Sequence, residues 1–492
     1  MSSDVHPDQR AEDEPLEPTD SESEKAEPPV TFQFYGGSVG ALLPFFVFVA
    51  GVVTIALSGA PDERGFWPVL ILALSLGLLL AKDKNKFCLS VINGMSQRIV
   101  MIMITAWMLA SMIGVLMSIT GFVEALIWTA SQFNLSGPAF VAVSFIICCM
   151  VSLSTGSSFG TILICGPLLY PAGGLLGAHL ATLAGAILAG ATFGDCIAPI
   201  SDTTIASALS QNAEIGETVR SRLKYVIPAG IAALVLCFLS ATWRGNDIPA
   251  VGLPLAGSPR GLPMLLVPAV IIALFLKRKH LLHGLLVGLM VGVGLGLAAG
   301  LLPLQQLISL DLENVTARSF IIDGIDRAVG ISFFTILLMG LVSTLKASGL
   351  LEQLVGFAAG RSKTIRHAEA WIATSVGVAV LLTTHSIVAI LTVGEFTRRT
   401  GERVGIHRNR RANLLSLVVC VFPFLLPYFI PVILMANTTA SGKEYGIPAV
   451  DPLQVGLHNF IAWTLLVMVL LAVLTGFGRK SDRTSSAASG SH

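Results

Sequence analysis

The sequence predicts an all-α polytopic membrane protein, built as two inverted repeats with discontinuous helices and about 14 membrane segments. Three observations carry that prediction. The 492 residues are 53% hydrophobic and only 12% charged, with a mean hydropathy of +0.78. Apolar runs recur from Ala41 to Phe477, many close to the roughly 20 residues that cross a bilayer as a helix. Polar, glycine- and proline-rich breaks interrupt those runs at related places in the two halves. A transmembrane barrel would instead show short alternating segments, and the chain has no such pattern.

Residues 1–31 carry ten acids and two bases among Pro and Ser. That composition cannot bury enough apolar surface to fold, so it reads as a disordered acidic cytoplasmic tail. A signal peptide would need a basic start and an apolar core. The first repeat, 36–245, contributes segments near 36–58, 66–81, 98–118, 137–152, 158–173, 179–200 and 224–243. The second, 261–478, contributes 261–276, 284–302, 328–346, 368–383, 385–397, 412–436 and 456–477, before a tail at 479–492. The short segment 385–397 fits a half-helix or re-entrant hairpin better than a full span.

Charge sets the expected orientation. With the N-terminus inside, the cytoplasmic loops hold Lys82/Lys84/Lys86/Arg98, Arg220/Arg222/Lys224, Lys277/Arg278/Lys279 and Lys346/Arg361/Lys363/Arg366. They also hold Arg398/Arg399/Arg403/Arg408/Arg410/Arg411 and the Arg479/Lys480/Arg483 tail. This positive-inside bias predicts a multi-pass protein of the cell (inner) membrane with both termini cytoplasmic.

The halves resemble each other at an offset near 230. Asn93-Gly94-Met95 matches Asp323-Gly324-Ile325, and Gly121-Phe122-Val123-Glu124 matches Gly349-Leu350-Leu351-Glu352. Asp195 and Pro199 fall opposite Pro423 and Pro427. With an odd number of crossings per half, the second repeat must be inverted, the layout of secondary transporters.

Several function classes drop out. The seven cysteines, 88, 148, 149, 165, 196, 237 and 420, show no zinc-type spacing and read as buried small hydrophobes without a disulfide framework. No basic patch interleaved with aromatics points to nucleic acid. The expected partners are membrane lipid and a small ion or small organic solute, and the layout allows a homodimer. No cofactor is expected, only Na+ and H+ as transported or coupling ions.

The strongest chemical signal is Gly194-Asp195-Cys196-Ile197-Ala198-Pro199-Ile200-Ser201-Asp202-Thr203-Thr204, two carboxylates in a membrane stretch. An ionisable group at the bilayer centre costs about 2.5–3.5 kcal/mol on insertion scales, so it normally has a task. Pro199 lacks the N–H that would close onto the Asp195 carbonyl, leaving that oxygen for a cation. Asp195, Asp202 and Thr203 form the expected Na+ set, with Ser201 and Thr204 beside them, since hard cations prefer oxygen ligands. Two carboxylates sharing a dehydrated pocket would also let a proton compete with a metal ion. Against this, Asp202 is a natural N-cap for a helix starting at Thr203.

A second cluster, Thr155, Ser157 and Ser158 around Gly156 and Gly160, suits a sharp unwound turn with hydroxyls for backbone or ion, or close helix packing. Gly156-x-Ser158-x-Gly160 also spells a hydrolase elbow, but that motif requires a preceding strand. In the second half, Thr383, Thr384 and His385 form the counterpart break, and His385 suits proton carriage or a helix contact. Pro423, Pro427 and Pro431 require a kinked or unwound helix there. Glu395 fits pairing with Arg398 or Arg399, and Glu124 and Glu352 fit a helix-start role. An intramembrane hydrolase built on Ser158 and His385, and a channel, are the rival classes; neither accounts for a repeat with paired breaks.

At this point the residues resemble a family. Thr155-Gly156-Ser157-Ser158-Phe159-Gly160-Thr161, Gly190-Ala191-Thr192-Phe193-Gly194-Asp195 and Pro199-Ile200-Ser201-Asp202-Thr203-Thr204 look like the signature of NhaC-type Na+/H+ antiporters, part of the ion-transporter superfamily. The resemblance runs from about Gly94 to Phe429. It implies that Asp195 and Asp202 bind the coupling ion or proton, assisted by neighbouring hydroxyls. Three positions depart from the pattern: Cys196 stands where Lys is usual, Thr384-His385 replaces a second Gly-Asp, and Ser416-Leu417 replaces a Glu-Asp pair. The expectation is therefore a divergent antiporter, not an enzyme, whose alternative is an Na+- or H+-coupled carrier of an amino acid or carboxylate.

Overall fold

The computed structural model describes residues 31–57, 63–133, 135–244, 258–277, 280–311, 316–350 and 364–479. The acidic tail up to Val30, Glu352 and the bases Arg278, Lys279, Arg361, Lys363, Lys480 and Arg483 lie outside them. The first half holds Gly37–Leu57 (α1), Phe66–Leu80 (α2), Lys84–Met95 (α3), Arg98–Ile119 (α4), Phe122–Gln132 (α5), Gly137–Thr155 (α6), Ser158–Leu175 (α7), Leu180–Ile197 (α8), Asp202–Ser210 (α9) and Ile215–Trp243 (α10). The second holds Leu266–Leu276 (α11), Leu281–Ala298 (α12), Leu304–Leu307 (α13), Phe320–Ala347 (α14), Ile365–Thr383 (α15), Ser386–Arg403 (α16), Arg408–Val419 (α17), Ile430–Thr438 (α18), Pro452–Leu457 (α19) and Phe460–Thr475 (α20). Ser309–Asp311 and Thr316–Arg318 pair as short antiparallel strands.

The fold is polytopic and α-helical. Among the described residues nine helices are long and apolar enough to cross a bilayer, with shorter apolar helices at Phe66–Leu80, Pro259–Leu274 and Phe460–Thr475; the count of about 14 membrane segments is not confirmed. The expected crossing 412–436 is two helices, α17 and α18, separated by Pro423 and Pro427. The expected loop 82–98 contains α3, started by Asp83, whose side chain accepts from the Lys86 N–H. The 385–397 segment is a helix of 18 residues. Finally, α10 begins at Ile215, capped by Glu214, so Arg222 is a helix residue rather than a loop charge.

The repeat is written into the backbone. Four second-half helices, α15 to α18, start at Ile365, Ser386, Arg408 and Ile430, each 228 residues after Gly137, Ser158, Leu180 and Asp202. Gly156 and Thr384, which end α6 and α15 at that same spacing, both take left-handed backbone, φ 66° and 51°. Glycine adopts that conformation freely, whereas threonine is strained there. His179 and His407 each cap the following helix through Nδ1, accepting from Thr182 N and Asn409 N.

The halves also exchange parts. A Cβ placed on Gly166 of α7 would lie 2.5 Å from Thr438 Oγ1 of α18, and one on Gly394 of α16 would lie 3.1 Å from Ser210 Cβ of α9. Gly394 and Thr438 are the counterparts, 228 residues on, of Gly166 and Ser210. Each half therefore lays its short helix against a glycine of the other. A contact in which residue i meets j′ and j meets i′ is the signature of a two-fold relation.

Candidate functional site

Two breaks of the first half meet. Gly156, between α6 and α7, packs so closely on Ile200, between α8 and α9, that an added Cβ would lie 2.6 Å from the Ile200 side chain. Glycine is needed there for space as well as for φ. Ser157 caps α7, accepting from Gly160 N at 3.1 Å, and this sets Ser158 at the first helical position, facing α8.

Asp195 sits on the last turn of α8 and is buried, 7% exposed. Its Oδ2 accepts a hydrogen bond from Ser158 Oγ at 3.1 Å, and the Ser201 hydroxyl neighbours the same carboxylate. Ser201 is buried at the start of α9, with its Oγ 3.0 Å from Thr203 Oγ1. A desolvated carboxylate with two hydroxyls around it is an oxygen set suited to Na+ or to a proton.

Three expectations are corrected here. Asp202 does not share a dehydrated pocket with Asp195: it is the first residue of α9 and exposed, whereas Asp195 lies on the buried last turn of α8. The Asp195 carbonyl is not released by Pro199, since Ala198 N donates to Gly194 O at 3.0 Å and to Asp195 O at 3.3 Å, closing a tighter turn. Thr204 Oγ1 accepts from Arg222 Nη1 at 2.8 Å, so this hydroxyl faces a fixed cation.

The remaining predicted residues fall in the two helix breaks. Thr155 Oγ1 donates to Ser152 O and contacts Ser157 at 3.4 Å. Its counterpart Thr383 donates to Ala379 O at 2.8 Å and His385 O at 3.2 Å. Among the described residues, Thr384 Oγ1 and His385 Nδ1 are buried without partners, and no hydrogen bond joins His385 to Asp195. Ser158 opens α7 directly after a helix, not a strand, which removes the hydrolase elbow. Glu395 pairs with Arg398 and Arg399, and Glu124 lies in the first turn of α5.

The sequence reading missed four buried polar residues. Arg222 is fully buried, donating from Nη1 to Cys196 O and from Nε to Asn413 Oδ1 of α17 at 3.0 Å. Glu369 of α15 is fully buried and takes a two-pronged pair from Arg410, Nε at 3.0 Å and Nη2 at 3.2 Å, with Arg479 Nη2 at 2.7 Å. The signal for Arg222 was present: Glu214, followed by Gly216 and Glu217, is a helix start ahead of the arginine.

Residues 39–241 match the profile of the Na+/H+ antiporter family, a stretch that contains Ser158, Asp195, Ser201 and Arg222. A malate-2H(+)/Na(+)-lactate antiporter of Bacillus subtilis is 28% identical over 204 residues, 41% of this chain and 43% of that protein. A Na(+)/H(+) antiporter NhaC of Alkalihalophilus pseudofirmus is 30% identical over 190 residues, 37% and 40% of the two chains. The NhaC of Bacillus subtilis is 25% identical over 363 residues, 70% and 77%. The chain thus spans less than half the length of the first two relatives. The membrane helices, the paired breaks and the buried Asp195 lie in a chain whose residues 39–241 resemble the Na+/H+ antiporter family and whose relatives include NhaC antiporters at modest identity.

Proposed function

We infer that the protein is a secondary transporter exchanging Na+ for protons by alternating access, with the two cations competing at Asp195. The observation that carries this is a buried carboxylate, held by Ser158 with buried Ser201 at the facing helix start, at a helix break inside a two-fold repeat. A proton and Na+ cannot occupy one carboxylate together, so release of one admits the other. An odd number of crossings in each half would make the two-fold relation an inversion, which lets the same site face either side in turn. Both termini are assigned to the cytoplasmic side, on the exposed bases Lys82, Lys84, Lys86, Arg399 and Arg403; Arg222, Arg410 and Arg411 are buried and do not count.

A second reading, an Na+- or H+-coupled carrier of an amino acid or carboxylate, draws on the resemblance to a malate-2H(+)/Na(+)-lactate antiporter. The cavity between α4, α7, α14 and α18, lined by Trp107, Ser111, Arg327, Asn437, Thr438 and Ser441, measures only about 30 Å³ and does not by itself hold such a solute. The test is a proteoliposome assay. Na+-driven proton movement without organic solute, abolished in Asp195→Asn, is the expected result; transport only when a labelled carboxylate or amino acid is supplied would transfer the conclusion to the second reading.

A further inference from the structure

Arg222 heads the large side chains that are fully buried. A guanidinium taken out of water costs several kcal/mol unless a charge and hydrogen bonds compensate it. Nε and Nη1 find neutral acceptors: Asn413 Oδ1 at 3.0 Å, Cys196 O at 2.8 Å and Thr204 Oγ1 at 2.8 Å. Nη2 is buried without a partner, and among the described residues Arg222 makes no ion pair. The residue before the carbonyl it holds is the buried acid Asp195. Two opposite buried charges thus serve the same helix break, Arg222 reaching it from α10, with no hydrogen bond or ion pair between them among the described residues.

The neutral contacts account for the arginine's position but not its charge. A glutamine-sized amide could tie α8, α9 and α17 together without the cost of ion burial. The charge has a use if the carboxylate is emptied in each cycle, because a bare anion in a dry site is costly. We propose that Arg222 is the internal counter-cation of the exchange site: when Na+ or the proton leaves Asp195, Nη2 pairs with the carboxylate, and the next cation enters by displacing it. The emptied site is then held as a neutral pair until the next cation displaces the guanidinium, and cation release is assisted rather than opposed. This inference rests on the reading of Asp195 as the exchange site. It makes Arg222 a positioning residue that sets affinity against turnover, since a competitor for the carboxylate weakens Na+ binding and speeds release.

The test uses the full chain in detergent and in proteoliposomes, with Na+ itself as the probe. Na+-dependent thermal stabilisation reports binding, and flux gives KM and maximal rate. Arg222→Gln is expected to bind Na+ at least tenfold more tightly and to lose at least tenfold in maximal rate. Arg222→Lys, which keeps the charge but not the fork, is expected to recover most of the rate at a lower melting temperature. Asn413→Ala removes only a neutral tie and lowers melting temperature with Na+ affinity within twofold. Folded Arg222→Gln with Na+ affinity and rate within twofold of the parent overturns the proposal, as does Arg222→Lys that keeps affinity but loses the rate. If Arg222→Gln does not fold, Arg222→Lys alone decides. Failure of the underlying reading looks different: the parent protein then shows no Na+ stabilisation that Asp195→Asn removes.

Discussion

Ser158→Ala isolates one bond at the site. Ser158 Oγ is buried and donates to a buried carboxylate at 3.1 Å. Hydrogen bonds to charged groups contribute about 1.5–3 kcal/mol, and the strongest O–H···O⁻ bonds are nearer 2.5–2.7 Å. The observed length therefore selects the lower end, about 1.5 kcal/mol, or roughly a tenfold change in an equilibrium constant. The alanine variant loses the donor that holds the ionised carboxylate ready for Na+, so KM for Na+ should rise about tenfold, with maximal rate at saturating Na+ changed less than threefold. Ser158→Thr keeps the hydroxyl and should stay within about threefold of the parent. The assay is Na+-driven proton flux in proteoliposomes at fixed pH, with thermal unfolding as a check on folding. An unchanged KM in a folded Ser158→Ala protein would show that the carboxylate is organised by other groups, and the site would have to be redrawn without α7.

Four further outcomes are expected. Asp195→Asn should abolish exchange, whereas exposed Asp202→Asn should raise KM for Na+ without abolishing it; equal loss in both would restore a shared two-acid site. Glu369→Gln leaves Arg410 and Arg479 facing a neutral group in a buried setting, which costs about 3–5 kcal/mol, read as a fall in melting temperature; a fall no larger than that of a surface variant refutes this. Gly166→Val, pressed against Thr438, should cost about 1–3 kcal/mol by overpacking, while Gly294→Val, with nothing within 4 Å, should be tolerated. His385→Ala removes a part-buried ring whose Nδ1 has no partner to lose, so it should cost only about 1 kcal/mol of stability yet change the pH profile of transport; an unchanged profile assigns the ring to packing.

How much of this was legible in the sequence depends on which force shaped each element. Long apolar helices such as α1, α4, α6 and α8 follow from hydropathy, and their ends were read closely. The break at Asp195 was visible because burying a carboxylate beside a proline in an apolar run is costly unless the site uses both. What escaped detection was set by tertiary packing. Helix α3 carries three charged or polar residues in its first turn and reads as loop, yet Gly94 packs it against Met339 and Ser343 of α14. Asp202 and Asp195 look alike in sequence and differ only in which side of a turn they occupy. Arg222 and Arg410 read as loop bases and Glu369 gives no local signal, because partners 41 to 191 positions away cannot be inferred from local pattern.

The reciprocal seating of α9 and α18 bears on biogenesis. Ser210 of α9 waits for Gly394, which is made 184 residues later; at roughly 5–20 residues per second, that is about 10–40 s of ribosome time. During that interval the carboxylate-bearing break has no lid from the other half, so neither half is a self-sufficient folding unit. Severed fragments should mature only when produced together, and the insertion machinery must shelter a polar hairpin until its mate arrives.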